Sequence, residues 1–493
     1  MCAMDAESMA IPRRVFVRSA VGFVAAGSLV MANSAKGQTV RGANEDIRLA
    51  IVGLRKKGKE HIEAFRKLRG VRVAALCDCD RQFLDLEAAK FTKRGEQVKS
   101  YIDYRKLLED KDIDVVVVVT PDHWHALMTV WACQAGKDVY VEKPASYSIW
   151  EGRKMVQAAR RYNRIVQVGS QNRSDVGLRA AIAYIQQGEL GRLRLVRCMS
   201  FGRRASIGKV TGPQPIPPTC DYDLFQGPAP LVPLMRKNLH YDWHWFWDTG
   251  TGEMGNLGAH HLDHARWAMG QDTVAPSAIA LGGRFGYDDD GQTPNTHMVY
   301  FNYQPVPLIY ELRSLTRRKG DPVLDTYRGL RATLRVECEG GFFAGGRGGG
   351  WIYDNNGRKI RQFPGDGGGG HQANFIEAVR SRKVDDLRAD ILQGHISSAL
   401  CHMANISYRL GHRKSPKSIR RVVAGNDVLA ESVDRLLSHL AANEIDLAAN
   451  PVSIGPILRF DERQERFTGD HSEWANMFLK RIYRPPFVVP EAV

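Results

Sequence analysis

From Ile47 the chain alternates short apolar runs with longer stretches of helical period. Arg48–Gly53 reads as a strand (RLAIVG), Gly58–Leu68 as a helix, Val71–Cys77 as a strand and Asp80–Lys93 as a helix. Tyr101–Leu108 is a short helix. Val115–Val119 is an unbroken valine run, the signature of a strand buried on both faces of a parallel sheet. Ala126–Ala135 is a mostly apolar helix stopped at Gly136, and Val139–Val141 is the next strand. Ser148 and Glu151 have the spacing of a capping box, and the helix they open presents Gly152, Met155, Val156, Ala159 and Tyr162 on one face. Ile165–Val168 closes the series. The pattern predicts an α/β chain beginning with a doubly wound, dinucleotide-type domain over residues 45–170.

The strand at Val139 delivers Glu142-Lys143-Pro144 at its C-terminal end, where open α/β sheets bind ligands. A lysine in such a place can work as a partly desolvated acid or base. In isolation the same tripeptide reads more readily as a surface turn. After the first strand, Gly53-Leu54-Arg55-Lys56-Lys57-Gly58 keeps the first and third glycines of G-x-G-x-x-G but carries Arg55 at the second. That side chain must turn away or contact phosphate directly. Asp78, about twenty residues further on, is placed to accept from ribose hydroxyls and to repel a 2′-phosphate, which favours NAD over NADP.

The second half, 171–414, changes character. A helix at Val176–Gln187 leads to a strand at Leu193–Phe201, then a Pro-rich connection over Pro213–Pro233. Tyr241–Trp247 is a dense aromatic run whose Trp243 and Trp245 suit a sugar ring, although such runs also build cores. Alternating strands from Ala278 through Val336, a glycine-rich hairpin at Gly340–Gly350, and helices at His371–Arg382 and Ile391–Leu410 predict a large, mainly antiparallel sheet with helices. Residues 415–493 form an extension with one helix (Val428–Ala442) and then irregular, proline-punctuated chain that packs on the domains.

Composition narrows the class. Apolar residues at 43% and charged residues at 25% of the 493 describe a globular chain. The net charge is +15; residues 1–40 hold four basic and two acidic side chains, so about +13 remains beyond them. The basic residues are scattered, without aromatic interleaving, which reads as a solvated surface and not as a nucleic-acid face. The eight cysteines include no CxxC and no zinc spacing; Cys77 and Cys79 flank Asp78 and should face the same side. Residues 1–40 read as a leader: Arg13-Arg14 is a twin-arginine motif, and Ser19–Ala32 is an uncharged small-residue run too short for a comfortable membrane span. Cleavage near Ser34 or Ala35 predicts export to the periplasm; an uncleaved anchor or a chance arginine pair is the alternative.

Thr120-Pro121-Asp122-His123-Trp124-His125, Glu142-Lys143-Pro144, and Gly250 through His260 (GTGEMGNLGAH), on a Rossmann-like half, resemble the Gfo/Idh/MocA oxidoreductases over about Ile47–Gly411. Twin-arginine members form a known branch of that family. The resemblance implies a nicotinamide cofactor, a sugar, polyol or glycoside substrate, and a C-terminal α/β domain whose open sheet mediates homo-oligomer contacts. It carries the catalytic lysine onto Lys143, and the aspartate and histidine onto Asn256 and His260. Asn256 departs from the common aspartate. Four apart on a helix, Asn256 and His260 would share a face. Asparagine can hold a hydroxyl but cannot take its proton, which moves the base role to His260, with an ordinary value near 6.5, while Lys143 steadies the developing alkoxide. A satisfied buried histidine is the alternative for His260. Cofactor contacts are expected from Gly53, Arg55, Gly58, Asp78, Thr120, Pro121, His123, Trp124, His125, Glu142, Lys143 and Gln171. Trp243 and Trp245 are expected at the substrate with the catalytic residues. His123 and Trp124 are expected to line the nicotinamide pocket. A zinc reading of His123, His125, His260, His261 and His264 is weighed and set aside, leaving no metal. Three functions remain: a dehydrogenase with a retained nicotinamide, a glycoside hydrolase working by transient oxidation and elimination, and a non-enzymatic cofactor-binding sensor.

Overall fold

The computed structural model describes residues 46–493; the leader features lie outside the described residues. The first half builds a six-stranded sheet from β1 (Ile47–Val52), β2 (Val71–Cys77), β3 (Lys99–Tyr101), β4 (Val115–Val118), β5 (Asp138–Val141) and β6 (Val166–Val168). The spatial order is β3-β2-β1-β4-β5-β6, all parallel. Reversal of strand order at β1/β4 opens a crevice at the strands' C-terminal ends. Between the strands run α1 (Lys56–Arg66), α2 (Arg81–Lys93), α3 (Tyr104–Glu109), α4 (Asp122–Gln134) and α5 (Ile149–Arg161). One apolar cluster packs on each face, so β4 is buried at every position, as its valine run predicts. Helix α4 starts four residues before the expected Ala126. Pro121 at its N-cap sets the entry, and His123, Trp124 and His125 become its first turn.

The second sheet runs from β7 (Leu193–Phe201) onward. α6 (Val176–Gln186) precedes it; α7 (Tyr222–Gln226) and α8 (Ala259–Ala268) follow. Then come β8 (Ser277–Gly283), β9 (Thr296–Phe301), β10 (Leu308–Arg313), β11 (Ala332–Cys338), β12 (Gly341–Gly346), β13 (Gly349–Tyr353) and β14 (Lys359–Pro364). The chain continues with α9 (His371–Ser381), α10 (Ile391–Arg409), β15 (His412–Lys414), α11 (Pro416–Val423), α12 (Asp427–Ala442), β16 (Val452–Ile454), β17 (Leu458–Asp461) and β18 (Arg466–Thr468). The order is β14-β13-β12-β11-β7-β10-β9-β8-β16-β15, with β17 also on β8; only the β7–β10 pairing is parallel. α6, α8 and α10 cover one face through the largest core.

Two features of the extension differ from the sequence expectation. Its last part is not wholly irregular, because three short strands, β16 to β18, join the sheet. These runs of three or four residues are too short to register as alternation. Helices α11 and α12 also cover part of the second face: Leu429, Val433 and Leu436 pack on Ile279, Leu281 and Met298. The cysteines among the described residues are free thiols.

Candidate active site

A cavity of about 600 Å³ runs along the crevice from Asp78 and the β1–α1 loop to Lys143, Asn256 and His260, between the two sheets. Two glycines shape the loop. Gly53 takes φ +89°, and a β-carbon there would stand 2.6 Å from the Val119 carbonyl oxygen; one at Gly58 would stand 2.0 Å from the Gly53 oxygen. Both glycines are therefore fixed by close backbone packing of loop, strand and helix. Arg55 resolves the sequence ambiguity by turning aside: its guanidinium lies 4.9 Å from the centre of the Phe83 ring. Arg55 still lines the cavity, with Lys56 and Lys57, at the N-terminus of α1, where backbone amides favour an anion.

Asp78 follows β2 and is oriented by two amides. Leu54 N–H donates to Oδ2 at 2.8 Å and Asp80 N–H to Oδ1 at 2.9 Å. Burial nevertheless raises its carboxyl to about 6, against those two hydrogen bonds. Thr120 and Pro121 line the cavity wall. His125 sets Nδ1 2.7 Å from the Pro144 carbonyl oxygen and Nε2 2.8 Å from that of Thr120, clamping this wall to the segment that carries Lys143.

Glu142 and Lys143 leave β5 in opposite roles. Glu142 Oε1 accepts from His61 Nε2 at 2.8 Å and from Gln171 Nε2 at 3.0 Å. Burial pushes this carboxyl up, but the His61 bond and charge outweigh it and hold the group well below the ordinary range. Lys143, before a cis Pro144, donates from Nζ to the Asn256 carbonyl oxygen at 2.8 Å and to its Oδ1 at 2.9 Å. Burial lowers the ammonium below its ordinary value, opposed by the charges of Glu142, Asp122 and Glu253. Asn256 sits in a π-helical turn, Met254–Gly258, that runs into α8, and not on the regular helix the spacing suggests. Such turns are frequent at functional sites. This one presents both oxygens of Asn256 to a single ammonium.

His260, on the first turn of α8, keeps part of its ring open to the cavity, while its Nδ1 is enclosed without a hydrogen-bond partner. Burial, and then the Lys143 charge, push it well below its ordinary value. It is therefore a neutral imidazole at neutral pH, and the expectation that it titrates near 6.5 is corrected.

Two expected residues stand outside the cavity. His123 is buried behind the wall, Nδ1 3.1 Å from the Thr249 carbonyl oxygen and Nε2 3.0 Å from that of Phe225; burial lowers it to about 3. Because α4 begins at Asp122, the ring points into the inter-sheet packing and not at a nicotinamide. Trp245 is likewise buried core, and only Trp243 of the pair lines the cavity. Trp124 does line it, its indole N–H held 3.1 Å from the Leu224 and Phe225 carbonyl oxygens.

Other residues serve the site through bonds that only the fold reveals. Glu253 is nearly inaccessible; it accepts from Asn256 Nδ2 at 3.0 Å and from Arg204 Nε at 2.8 Å, which fixes the amide so that its oxygen faces Lys143. Asp122 accepts from the Thr251 hydroxyl at 2.6 Å, tying α4 to the loop before Asn256. His61 was visible only as an α1 residue until its bond to Glu142 appeared.

The crevice of the parallel sheet thus faces the second sheet's unit, which supplies Asn256 and His260. Residues 47–170 match the oxidoreductase family's NAD-binding Rossmann fold, and residues 204–304 match its C-terminal alpha/beta domain. In these two segments the chain is similar to the Gfo/Idh/MocA oxidoreductase family. It is 29% identical over 224 residues to the uncharacterized oxidoreductase YrbE of Bacillus subtilis, covering 45% of this chain and 54% of that one. It is 32% identical over 173 residues to a glycosyl hydrolase family 109 protein of Shewanella pealeana, covering 31% and 38% respectively. The chain thus spans about half the length, or less, of these curated relatives. Among solved structures, the WlbA dehydrogenase from Bordetella pertussis in complex with NADH and UDP-GlcNAcA shares the fold, with TM-score 0.56 and 20% identity over 74% of this chain and 97% of that chain.

Proposed function

We propose that the chain is an exported NAD-dependent oxidoreductase acting on a secondary alcohol of a sugar, polyol or glycoside. The carrying observation is the convergence, at one end of a crevice that starts at Asp78, of an ammonium anchored on Asn256 and an imidazole whose Nδ1 has no partner. The residues fit a dinucleotide: a carboxylate pre-set by two amides at the ribose position, a backbone anion site at α1, and a loop whose glycines tolerate no side chain. Bound there, NAD supplies a hydride acceptor.

The protein's part follows from charge. Two of the three Lys143 hydrogens go to Asn256, leaving the third for the substrate oxygen. The ammonium stabilises negative charge as the hydroxyl loses its proton. Neutral His260 takes that proton, and Glu253 holds the Asn256 amide in its accepting orientation. The segment 483–489 covers the cavity edge with Phe487, which supports a retained nicotinamide that is recycled in place. Retention also favours a second reading, glycosidic cleavage by oxidation, elimination and re-reduction; an alpha-N-acetylgalactosaminidase of Shewanella oneidensis is 29% identical over 171 residues, 37% of its length. The sensor reading rested on Arg55 and Asn256, and the stacking of Arg55 on Phe83 weakens the first of them. The oligomer expected through the C-terminal sheet would use the part of its face that α11 and α12 leave open.

Mass spectrometry of nucleotide released on denaturing the folded protein, followed by turnover with a panel of glycosides, tests these readings. NAD released and consumed with an oxidisable sugar supports the dehydrogenase. Aglycone release without net NAD consumption supports the hydrolase. No nucleotide, and no reaction with added NAD, overturns both.

A further inference from the structure

A second cluster of chemically capable side chains lies at the wall of the crevice, apart from Lys143 and His260. The chain just after β2 pairs with the end of the Pro-rich connection. Arg81 N–H donates to the Thr219 carbonyl oxygen at 2.8 Å and Asp221 N–H to that of Cys79 at 2.9 Å, so Asp80 and Cys220 stand directly opposite each other in an isolated antiparallel bridge. In that narrow pairing the two side chains share a face. His240 reaches the same face, its Nε2 2.8 Å from Asp80 Oδ2, and its carbonyl oxygen accepts from the Trp243 indole, which fixes the backbone beneath it. One donor atom each from Asp80, Cys220 and His240 lies within 4.8 Å of the other two. Asp80 and Cys220 are buried and His240 is partly so. Cys79, next to Asp80, packs against the apolar residues around Cys220.

We propose that Asp80, Cys220 and His240 form a three-ligand binding site for a divalent transition cation of the zinc type, with a water in the fourth position. The donor set is one carboxylate oxygen, one imidazole nitrogen and one sulfur, which suits a borderline-soft tetrahedral ion. Two donors sharing such an ion are about 3.3–3.8 Å apart, so the observed cluster needs to contract by no more than roughly 1.5 Å. Asp80 Oδ1 already accepts from Gln82 N–H at the start of α2 at 3.0 Å, leaving Oδ2 as the single ligand oxygen. Binding balances simply. The Cys220 thiol loses its proton to solvent, and the proton between His240 Nε2 and Asp80 Oδ2 gives way to the ion, the imidazole keeping its hydrogen on Nδ1. Thiolate and carboxylate then offset the two positive charges. Phe225, Leu234, Leu239 and Trp243 pack around Cys220, which lowers the local dielectric and strengthens that attraction. Asp80 follows Asp78 by two residues and donates its amide to that carboxylate, so the ion would brace the ribose end of the crevice against the 219–240 arm.

The test uses the full chain, reduced and stripped of metal, titrated with Co²⁺ and then Zn²⁺. One equivalent of Co²⁺ should produce a thiolate charge-transfer band in the near ultraviolet and visible bands of tetrahedral intensity. Zn²⁺ should bleach both and raise the melting temperature. Cys220→Ser and His240→Gln should each lose the charge-transfer band or shift binding at least tenfold weaker; the second serves if the first does not fold. Absence of the band in the wild type, its persistence in both variants, or a Cys79–Cys220 disulfide in protein isolated without reductant would overturn the site.

Discussion

At the scale of single residues the site depends on which groups are free to act. Lys143→Ala or His260→Asn should lower turnover by about 10²–10⁴, the range for a positioned acid or base, while NAD affinity, read by equilibrium titration, stays within about twofold. Lys143→Arg should fail comparably, since a planar fork cannot reproduce two bonds to Asn256 and a third to substrate from one nitrogen. The pH profile has a worked-out sign. His260 must be neutral to accept a proton and lies well below 6.5, so the rate should be level through neutrality and fall only on the acid side; Lys143 lies below 10.5, so the alkaline fall should begin earlier than for an ordinary lysine. A wild-type inflection near pH 6.5 that vanishes in His260→Asn would contradict this. Asp78→Ala should weaken NAD binding and narrow the preference over NADP, because the carboxylate that accepts from ribose also repels phosphate; a wild type that prefers NADP would sink that assignment. Lys143, Asn256, His260, Asp78 and the loop glycines were legible because short motifs hold them. Arg204 and His61 were not, since each acts on a partner remote in sequence; Glu253 and Asp122 lie inside the quoted motifs, but the motifs do not show the bonds that they make. His123 and Trp245 misled for a related reason: an apolar or aromatic run does not say which of its faces meets the cavity.

At the scale of elements, periodicity located the parallel half closely, because buried strands and capped helices alternate there with glycine stops. It failed where length was too small, as in β16–β18, or where a π turn replaced regular helix. The C-terminal segment shows what remote contacts add. The Tyr483 hydroxyl donates to Glu151 at 2.9 Å, and Arg484 donates to Asp223 at 2.6 Å and to the Gly227 carbonyl oxygen at 3.1 Å. Phe487 then sits edge-on to Trp124, ring centres 5.4 Å apart, with the Arg105 guanidinium 5.3 Å from its own. This strap bridges α5, the 222–229 arm and the cavity edge. Phe487→Ala should open that edge and quicken release of bound nucleotide at least tenfold in a stopped-flow chase, with little change in the chemical step measured in single turnover. Unchanged release would show that the strap does not govern retention.

At the scale of the whole molecule the proposed export and the buried charge distribution meet, because an exported chain experiences external pH. Replacing Arg13 and Arg14 by lysine should leave precursor in the cytoplasm; unchanged export would refute the leader assignment. Acid stability follows from groups held away from their ordinary values. Burial lowers His297 and His402 to about 3, and His371 to about 4. Each is neutral in the folded chain but binds a proton near 6.5 when unfolded. The unfolded state therefore takes up more protons below about pH 6.5, and stability should decline from there as pH falls toward about 3. Asp263 acts lower down. Burial raises it, but the buried guanidinium of Arg173, at 2.8 and 2.9 Å, brings it to about 2, so its contribution is complete above about pH 4 and lost as pH falls through 2. Two descending stages should appear in melting temperature against pH. His297 separates them: fully buried in β9, it has neither ring nitrogen partnered, so His297→Leu removes a group that opposes folding once protonated. The variant should show a shallower slope between pH 6.5 and about 3 and an unchanged slope below it. A wild-type melting temperature flat from pH 7 to 4.5, or a His297→Leu slope equal to the wild type's, would show that these histidines are not held neutral in the folded protein.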